Sequence, residues 1–192
     1  MRVEAEGAVD AVPRLSLVSG PARSGKSRWA EHLAQRSARP VMYLATGPLL
    51  PDDAAWQQRL DRHRRRRPSS WQCLEVEGAL AEALDGLNPH ALGLVDSLGT
   101  WVAAHLELEG EDWEREREAL LQAMARCPAP LVVVSEETGW GVVPATAAGG
   151  RFRDRLGRLQ QQLTGRCDRA WLVVQGRVID LLAISQPLPA EP

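Results

Sequence analysis

Two clusters in this sequence carry chemistry. The first is Gly20-Pro21-Ala22-Arg23-Ser24-Gly25-Lys26-Ser27, which fits G-x-x-x-x-G-K-[ST] at every fixed position. Its glycines let backbone N–H groups turn inward around phosphate oxygens. A helix opening near Ser27 aims the positive end of its dipole at the same anion. Lys26 is placed to reach the β- and γ-phosphates, and Ser27 to offer a hydroxyl to Mg²⁺. The competing reading is a chance glycine-rich turn; the apolar strand before it and the helical pattern after it weigh against that. The chemistry is the grip of a nucleoside triphosphate.

The second cluster is Asp61-Arg62-His63-Arg64-Arg65-Arg66-Arg67, a concentrated cation in a chain of net charge −2. It reads in several ways. Arginines suit a solvated helix end, where they face the negative pole of the dipole. They also suit a nucleic-acid or localisation patch, or a face for a partner. The fourth reading is a second phosphate site with His63 as nucleophile. A neutral imidazole can attack the α-phosphate of a nucleotide and displace pyrophosphate. Neighbouring cations stabilise the transferring group and hold the imidazole unprotonated. Of the histidines, His32, His63, His90 and His105, only His63 has such a setting.

A phosphate loop also needs an acid for its metal. Asp96 closes the apolar run Ala91–Val95 and is the first candidate, although the same residue suits the N-cap of a helix from Leu98. Glu136 and Glu137, directly after Leu131–Ser135, are the alternatives, as metal acids or general bases.

The elements that must position these groups alternate along the chain. Strands are expected at Leu15–Ser19, Pro40–Ala45, Leu74–Val76, Ala91–Val95, Leu131–Ser135, Ala170–Val174 and Val178–Leu182. Helical spacing marks Ser27–Ser37, Asp52–Arg66, Gly78–Leu87, Leu98–Leu108, Trp113–Ala125 and Ala145–Thr164. Apolar strands without polar alternation are covered on both faces, and strands joined by helices make a mostly parallel sheet. The last two strands, around Gln175-Gly176, add an antiparallel edge. Ligands of such folds sit at the C-terminal ends of the strands.

Composition bounds the rest. The chain has 192 residues, 44% apolar and 25% charged, which suits one globular domain. The near-neutral charge provides no global field for nucleic acid or an anionic membrane. Cys73, Cys127 and Cys167 form no C-x-x-C, so neither a zinc site nor a disulfide framework is indicated. No apolar run is long enough to span a membrane, and scattered thiols suit a reducing compartment, so a cytoplasmic location is expected. Residues 1–13 hold Glu4, Glu6 and Asp10 without an apolar core, unlike a signal peptide. They are expected to be a flexible extension, residues 14–184 a single P-loop catalytic domain, and residues 185–192 a disordered tail. The tryptophans read as core, with Trp140, between Gly139 and Gly141, a candidate for substrate contact.

Taken together, GPARSGKS, VMYLATG, DDAAWQQRLDRHRRRRPSSW, LVDSLGTWV, VVVSEETGWGVVP, RFRDRLGRLQQQL and AWLVVQGRVIDL stand in an order that resembles the bifunctional adenosylcobinamide kinase/adenosylcobinamide-phosphate guanylyltransferase family. The likeness runs from about Leu15 to Leu182. Its most specific piece is R-L-x-x-H-x-x-x-R-P-x-x-W, Arg59 to Trp71, followed by Glu75. The resemblance implies a P-loop α/β fold related to RecA-like ATPases, usually assembled as a homotrimer. It implies phosphoryl transfer from ATP or GTP to adenosylcobinamide, then transfer of GMP from GTP through a GMP–histidine intermediate on His63. It also implies nucleotide contacts at Gly20, Pro21, Ala22, Arg23, Ser24, Gly25, Lys26 and Ser27. Further contacts fall on Thr46, Gly47 and Pro48, on Arg64, Arg65, Arg66 and Arg67, on Glu75, and on Asp96. Lys26 is the second catalytic residue, and Ser27 with Asp96 the metal pair.

The chain departs from the family's pattern in four places. Pro21 stands where Gly is frequent, which fixes φ and deletes one N–H from the cradle. Asp96 replaces a Glu found in some members, keeping the charge on a shorter arm. Glu136 stands where the family has a neutral amide. Arg64–Arg67 keeps the charge of a Lys-x-Gly-Arg segment without its flexible turn.

Overall fold

The structure, a computed structural model, describes residues 12–50 and 52–189; of Ala55, Trp56, Arg59, Arg62 and His63 it describes the backbone only. The expected extension and tail therefore fall partly outside the described residues, at 1–11 and 190–192. Val12, at the inner end of that extension, packs against the core.

The strands are β1 (Leu15–Gly20), β2 (Val41–Ala45), β3 (Gln72–Glu75), β4 (Leu92–Asp96), β5 (Leu131–Glu136), β6 (Arg169–Val174) and β7 (Arg177–Asp180). The helices are α1 (Lys26–Arg36), α2 (Ala54–Arg66), α3 (Leu80–Asp85), α4 (Leu98–Ala104), α5 (Gly110–Arg126), α6 (Ala147–Thr164) and α7 (Leu181–Ile184). The strands form one seven-stranded sheet in the order β3-β2-β4-β5-β1-β6-β7. Every pairing is parallel except β6 with β7. This is the expected mostly parallel sheet with an antiparallel C-terminal edge. The β6–β7 turn has Gln175 at φ 51 and Gly176 at φ 73, the left-handed pair that a two-residue hairpin of this twist requires.

The unbroken apolar strands are explained by two cores, one on each face. Leu15, Leu17, Leu44, Val95, Leu131 and Val133 point to the side covered by α3, α4, α5 and α6. Val18, Val41, Tyr43, Ala45, Leu92, Leu94, Val132 and Val134 point to the side covered by α1. Strand side chains alternate between faces, so Asp96, two residues past Leu94, faces the α1 side beside Tyr43. Each fully buried leucine stabilises the fold by about 1.5–3 kcal/mol. Among the described residues, no helix is long and apolar enough to cross a membrane.

Most expected element ends move by a few residues, as where the strand expected at Leu74–Val76 runs Gln72–Glu75, and two of these shifts have a side-chain cause. The helix expected over Leu98–Leu108 stops at Ala104, and His105, Leu106 and Leu108 donate to carbonyls only three residues back. Arg155 of α6 braces the carbonyls of this loosened end: its Nη1 reaches His105 O and Leu106 O at 3.1 Å each and its Nη2 bonds Leu108 O. The last strand ends at Asp180 rather than Leu182, because the Asp180 carboxylate accepts from Ala183 N at 3.2 Å and opens α7.

Candidate active site

Parallel pairing brings the strand ends into line. Glu75, Ala45 and Asp96 lie in register across β3, β2 and β4. Glu136 lies beside Gly20 across β5 and β1. The phosphate loop and the candidate acids therefore share one edge of the sheet, with β5 between β1 and β4.

The loop from Gly20 to Lys26 is held by its neighbours. A Cβ on Gly20 would sit 2.3 Å from Val173 O and 2.7 Å from Ser24 Oγ, so glycine is required by close approach of β6. Gly25 takes φ 104 immediately before α1, a conformation that favours glycine. Ser24 N donates to Pro21 O at 3.3 Å, Glu137 N to Gly20 O at 2.9 Å, and Gly176 N to Ser24 O at 3.3 Å. Lys26 Nζ lies 3.4 Å from Pro21 O, so the ammonium stays against the loop backbone. Pro21 thus contributes as an acceptor where it lacks a donor. Ser24 Oγ is buried and has no partner among the described residues.

Across the sheet edge, one cavity is lined by Gly47, Arg64, Arg67, Glu75 and Asp96, all singled out in the sequence, together with Tyr43 and Glu136. Arg64 Nη2 lies 3.4 Å from Glu75 Oε1. The Arg67 guanidinium lies 3.5 Å from the centre of the Tyr43 ring, within the range of a cation–π contact. The Tyr43 hydroxyl donates to Asp96 Oδ2 at 2.7 Å. Burial, then the Asp96 charge, pushes the phenol well above its ordinary range. Arg66 Nη2 bonds Glu31 Oε1 at 2.8 Å. Position 63 lies on α2, one turn before Arg66; the His63 side chain is outside the described residues. Arg65 and Pro48 are exposed.

The three candidate acids separate by their contacts. Glu136 accepts from Ser97 Oγ at 2.6 Å and from Gly99 N at 3.0 Å, so its carboxylate caps the start of α4. Glu137 accepts from Gly139 N at 2.8 Å inside its own turn. Asp96 stands at the tip of β4 in the cavity wall. Thr46 is fully buried, and its Oγ1 donates to Ser97 O at 2.6 Å while receiving Ser97 N at 2.7 Å. Trp140 is 61% exposed on the loop after β5, next to exposed Val142 and Val143.

Tyr43 and Glu31 were not singled out in the sequence, though each carries a signal. Tyr43 lies in a strand buried on both faces, where a phenol must find a hydrogen-bond partner. Glu31 stands in the buried stripe of α1 with Ala30 and Ala34, where a carboxylate needs a counter-ion.

Residues 16–181 match the family described as Cobinamide kinase / cobinamide phosphate guanyltransferase. The chain belongs to this family. It is 37% identical over 175 residues to the bifunctional adenosylcobalamin biosynthesis protein CobU of Escherichia coli (strain K12), covering 83% of this chain and 95% of that protein. It is 38% identical over 178 residues to the bifunctional adenosylcobalamin biosynthesis protein CobP of Pseudomonas aeruginosa, covering 92% and 98%. A solved structure from Pyrococcus horikoshii OT3, titled Project ID PH0250, shares the fold at TM-score 0.53 and 6% identity, over 88% of this chain and 86% of that one. The family is thus one of two transfers, a kinase step and a guanylyl transfer. In this chain the cavity on the same sheet edge gathers Arg64, Arg67, Glu75, Asp96 and Glu136.

Proposed function

We propose that this enzyme phosphorylates the hydroxyl of adenosylcobinamide with ATP or GTP, then moves GMP from GTP onto the new phosphate, giving adenosyl-GDP-cobinamide and pyrophosphate. The observation that carries the reading is the meeting of Arg64, Arg67, Glu75 and Asp96 in one cavity on the sheet edge that bears the phosphate loop.

In the first transfer, Lys26 and the N–H groups at the start of α1 hold the γ-phosphate. The acceptor hydroxyl oxygen attacks the γ-phosphorus, the bond from that phosphorus to the β–γ bridging oxygen breaks, the nucleoside diphosphate leaves, and the hydroxyl proton passes to solvent. In the second, a nitrogen of His63 attacks the α-phosphorus of GTP and pyrophosphate leaves. An oxygen of the acceptor phosphate then attacks the same phosphorus, the P–N bond breaks, and the imidazole is regenerated. The loop from Gly20 to Ser27 holds the triphosphate in both. Gly47 and Pro48 offer backbone at the mouth, and Thr46 acts by holding Ser97.

Ser27 and Asp96 would hold Mg²⁺ together with phosphate oxygens. A hydroxyl and a carboxylate fit this hard cation, which takes few protein ligands. When bound, the ion neutralises phosphate charge. We place residues 14–184 in one catalytic unit and expect a cytoplasmic homo-oligomer, a trimer by family resemblance. The exposed apolar loop of Trp140, Val142 and Val143 supports an assembly or substrate surface there.

The test is product analysis by mass spectrometry with adenosylcobinamide, ATP and GTP. The reading requires a phosphate ester first, then a GDP-linked corrinoid with release of pyrophosphate. A phosphate ester that never advances would reduce the chain to a kinase.

A further inference from the structure

Glu31 is a carboxylate in an apolar stripe. It is 7% exposed between the fully buried Ala30 and Ala34. Burying a charge there costs more than a neutral side chain would, and pairing offsets the cost only in part. Its position suggests what the charge is for. Glu31 stands five residues past the loop lysine on α1, and its partner Arg66 is the last residue of α2, three past His63. A second contact repeats the arrangement: Arg67 rests on the ring of Tyr43, whose hydroxyl is fixed by Asp96. The two preceding arginines differ. Arg65 is exposed with no ion pair among the described residues. Arg64 reaches Glu75 at 3.4 Å and Asp61 at 3.8 Å from a half-exposed position.

We propose that Glu31 and Tyr43 are positioning residues for nucleotidyl transfer: by holding Arg66 and Arg67 they seat the end of α2 on the body that carries the phosphate loop. Arg64 and Arg65 are then the arginines of α2 that can move to the nucleotide, while the Tyr43 ring holds Arg67 in the cavity wall. The inference rests on the assignment of His63 as nucleophile. Phosphoryl transfer uses the loop and does not need α2 in register. Guanylylation needs His63 brought to the α-phosphate, and a small misplacement of a nucleophile costs orders of magnitude in rate.

The test uses Glu31→Gln, which keeps shape and removes charge. With GTP labelled at the α-phosphate, we expect formation of acid-labile protein label to fall about tenfold or more, while phosphoryl transfer stays within about twofold. The melting temperature should hold or rise, because the Arg66 left behind is 44% exposed and reaches water. In an Arg66→Gln background, Glu31→Gln should cause no further loss of label, as two partners of one contact are non-additive. Tyr43→Leu, which removes the ring under Arg67, should lower label likewise. Unchanged label in Glu31→Gln overturns the proposal, as does a proportional fall of both activities together with melting temperature. Label that survives His63→Ala overturns the nucleophile assignment instead. The two failures are distinct, since failure of the seat alone leaves label that needs His63 but not Glu31.

Discussion

The hydroxyl of Tyr43 donates to Asp96 Oδ2 at 2.7 Å, while the other end of the same side chain system, the ring face, carries Arg67. One buried tyrosine therefore touches the acid at the tip of β4 and the last arginine of the basic run. The carboxylate is oriented by a donor that does not titrate near neutrality.

Replacing Tyr43 by Phe keeps the ring and removes that donor. A hydrogen bond to a charged group is worth about 1.5–3 kcal/mol, so a loss of stability in that range is expected from denaturant titration. The phenol is raised in the folded protein, so its contribution is complete below the unfolded value of about 10 and declines only as pH rises through the folded one. The difference between wild type and Tyr43→Phe should therefore be flat with pH across the neutral range. A difference that collapses between weakly acid and weakly alkaline pH would contradict it.

Glu31 behaves oppositely at neutral pH. Burial, outweighing Arg66, raises its carboxyl above the ordinary 4.5. The folded state then holds the proton more tightly than the unfolded chain. Stability falls as pH rises from the unfolded carboxylate range through the folded value, and levels off above it. Glu31→Gln should remove that fall. Melting curves taken from acid to neutral pH should show the variant gaining on wild type as pH rises; a variant that loses ground with rising pH would refute the sign.

Gly99 and Glu136 form a pair that can be taken apart. A Cβ at Gly99 would lie 2.2 Å from Glu136 Oε2, so Gly99→Ala must expel the carboxylate from the cap of α4. Alanine gains up to about 1 kcal/mol of helix propensity over glycine, but losing a charge-assisted cap is worth about 1.5–3 kcal/mol. Net destabilisation is expected in thermal melts. In a Glu136→Ala background, with the obstacle gone, Gly99→Ala should become neutral or stabilising.

The thiols report on the cavity. Cys73 is exposed, with Sγ 3.5 Å from Arg67 Nη1. Cys127 is buried, and Cys167 is pushed up to about 12 by burial and Asp168. In the native protein a maleimide should modify Cys73 alone, slowly at neutral pH because burial and Glu75 raise that thiol too. GTP should suppress the reaction. Peptide mapping that finds Cys73 modified at the same rate with saturating GTP would separate this thiol from the nucleotide site.

Much of this arrangement is legible in the sequence where the signal is local. The phosphate loop is a contiguous pattern, and both faces of the sheet are covered, so its strands read as unbroken apolar runs. What escapes is what depends on distant partners. Tyr43 reads as one more apolar residue of β2 until Asp96, 53 positions away, meets its hydroxyl. Glu31 reads as a surface acid until Arg66, 35 positions on, reaches it. The loosened end of α4 is braced by Arg155, 50 residues from the His105 carbonyl it reaches. That Glu136 caps α4 becomes visible only once Ser97 and Gly99 are seen donating to its carboxylate.

In the proposed mechanism His63 carries the nucleotide between the two half-reactions. This role is tested most directly by incubating the protein with GTP labelled at the α-phosphate, quenching, and mapping the labelled peptide. Acid-labile, alkali-stable label is expected on the peptide containing His63, with release of pyrophosphate, and none in His63→Ala. Label on another residue, or label that persists in that variant, would contradict it.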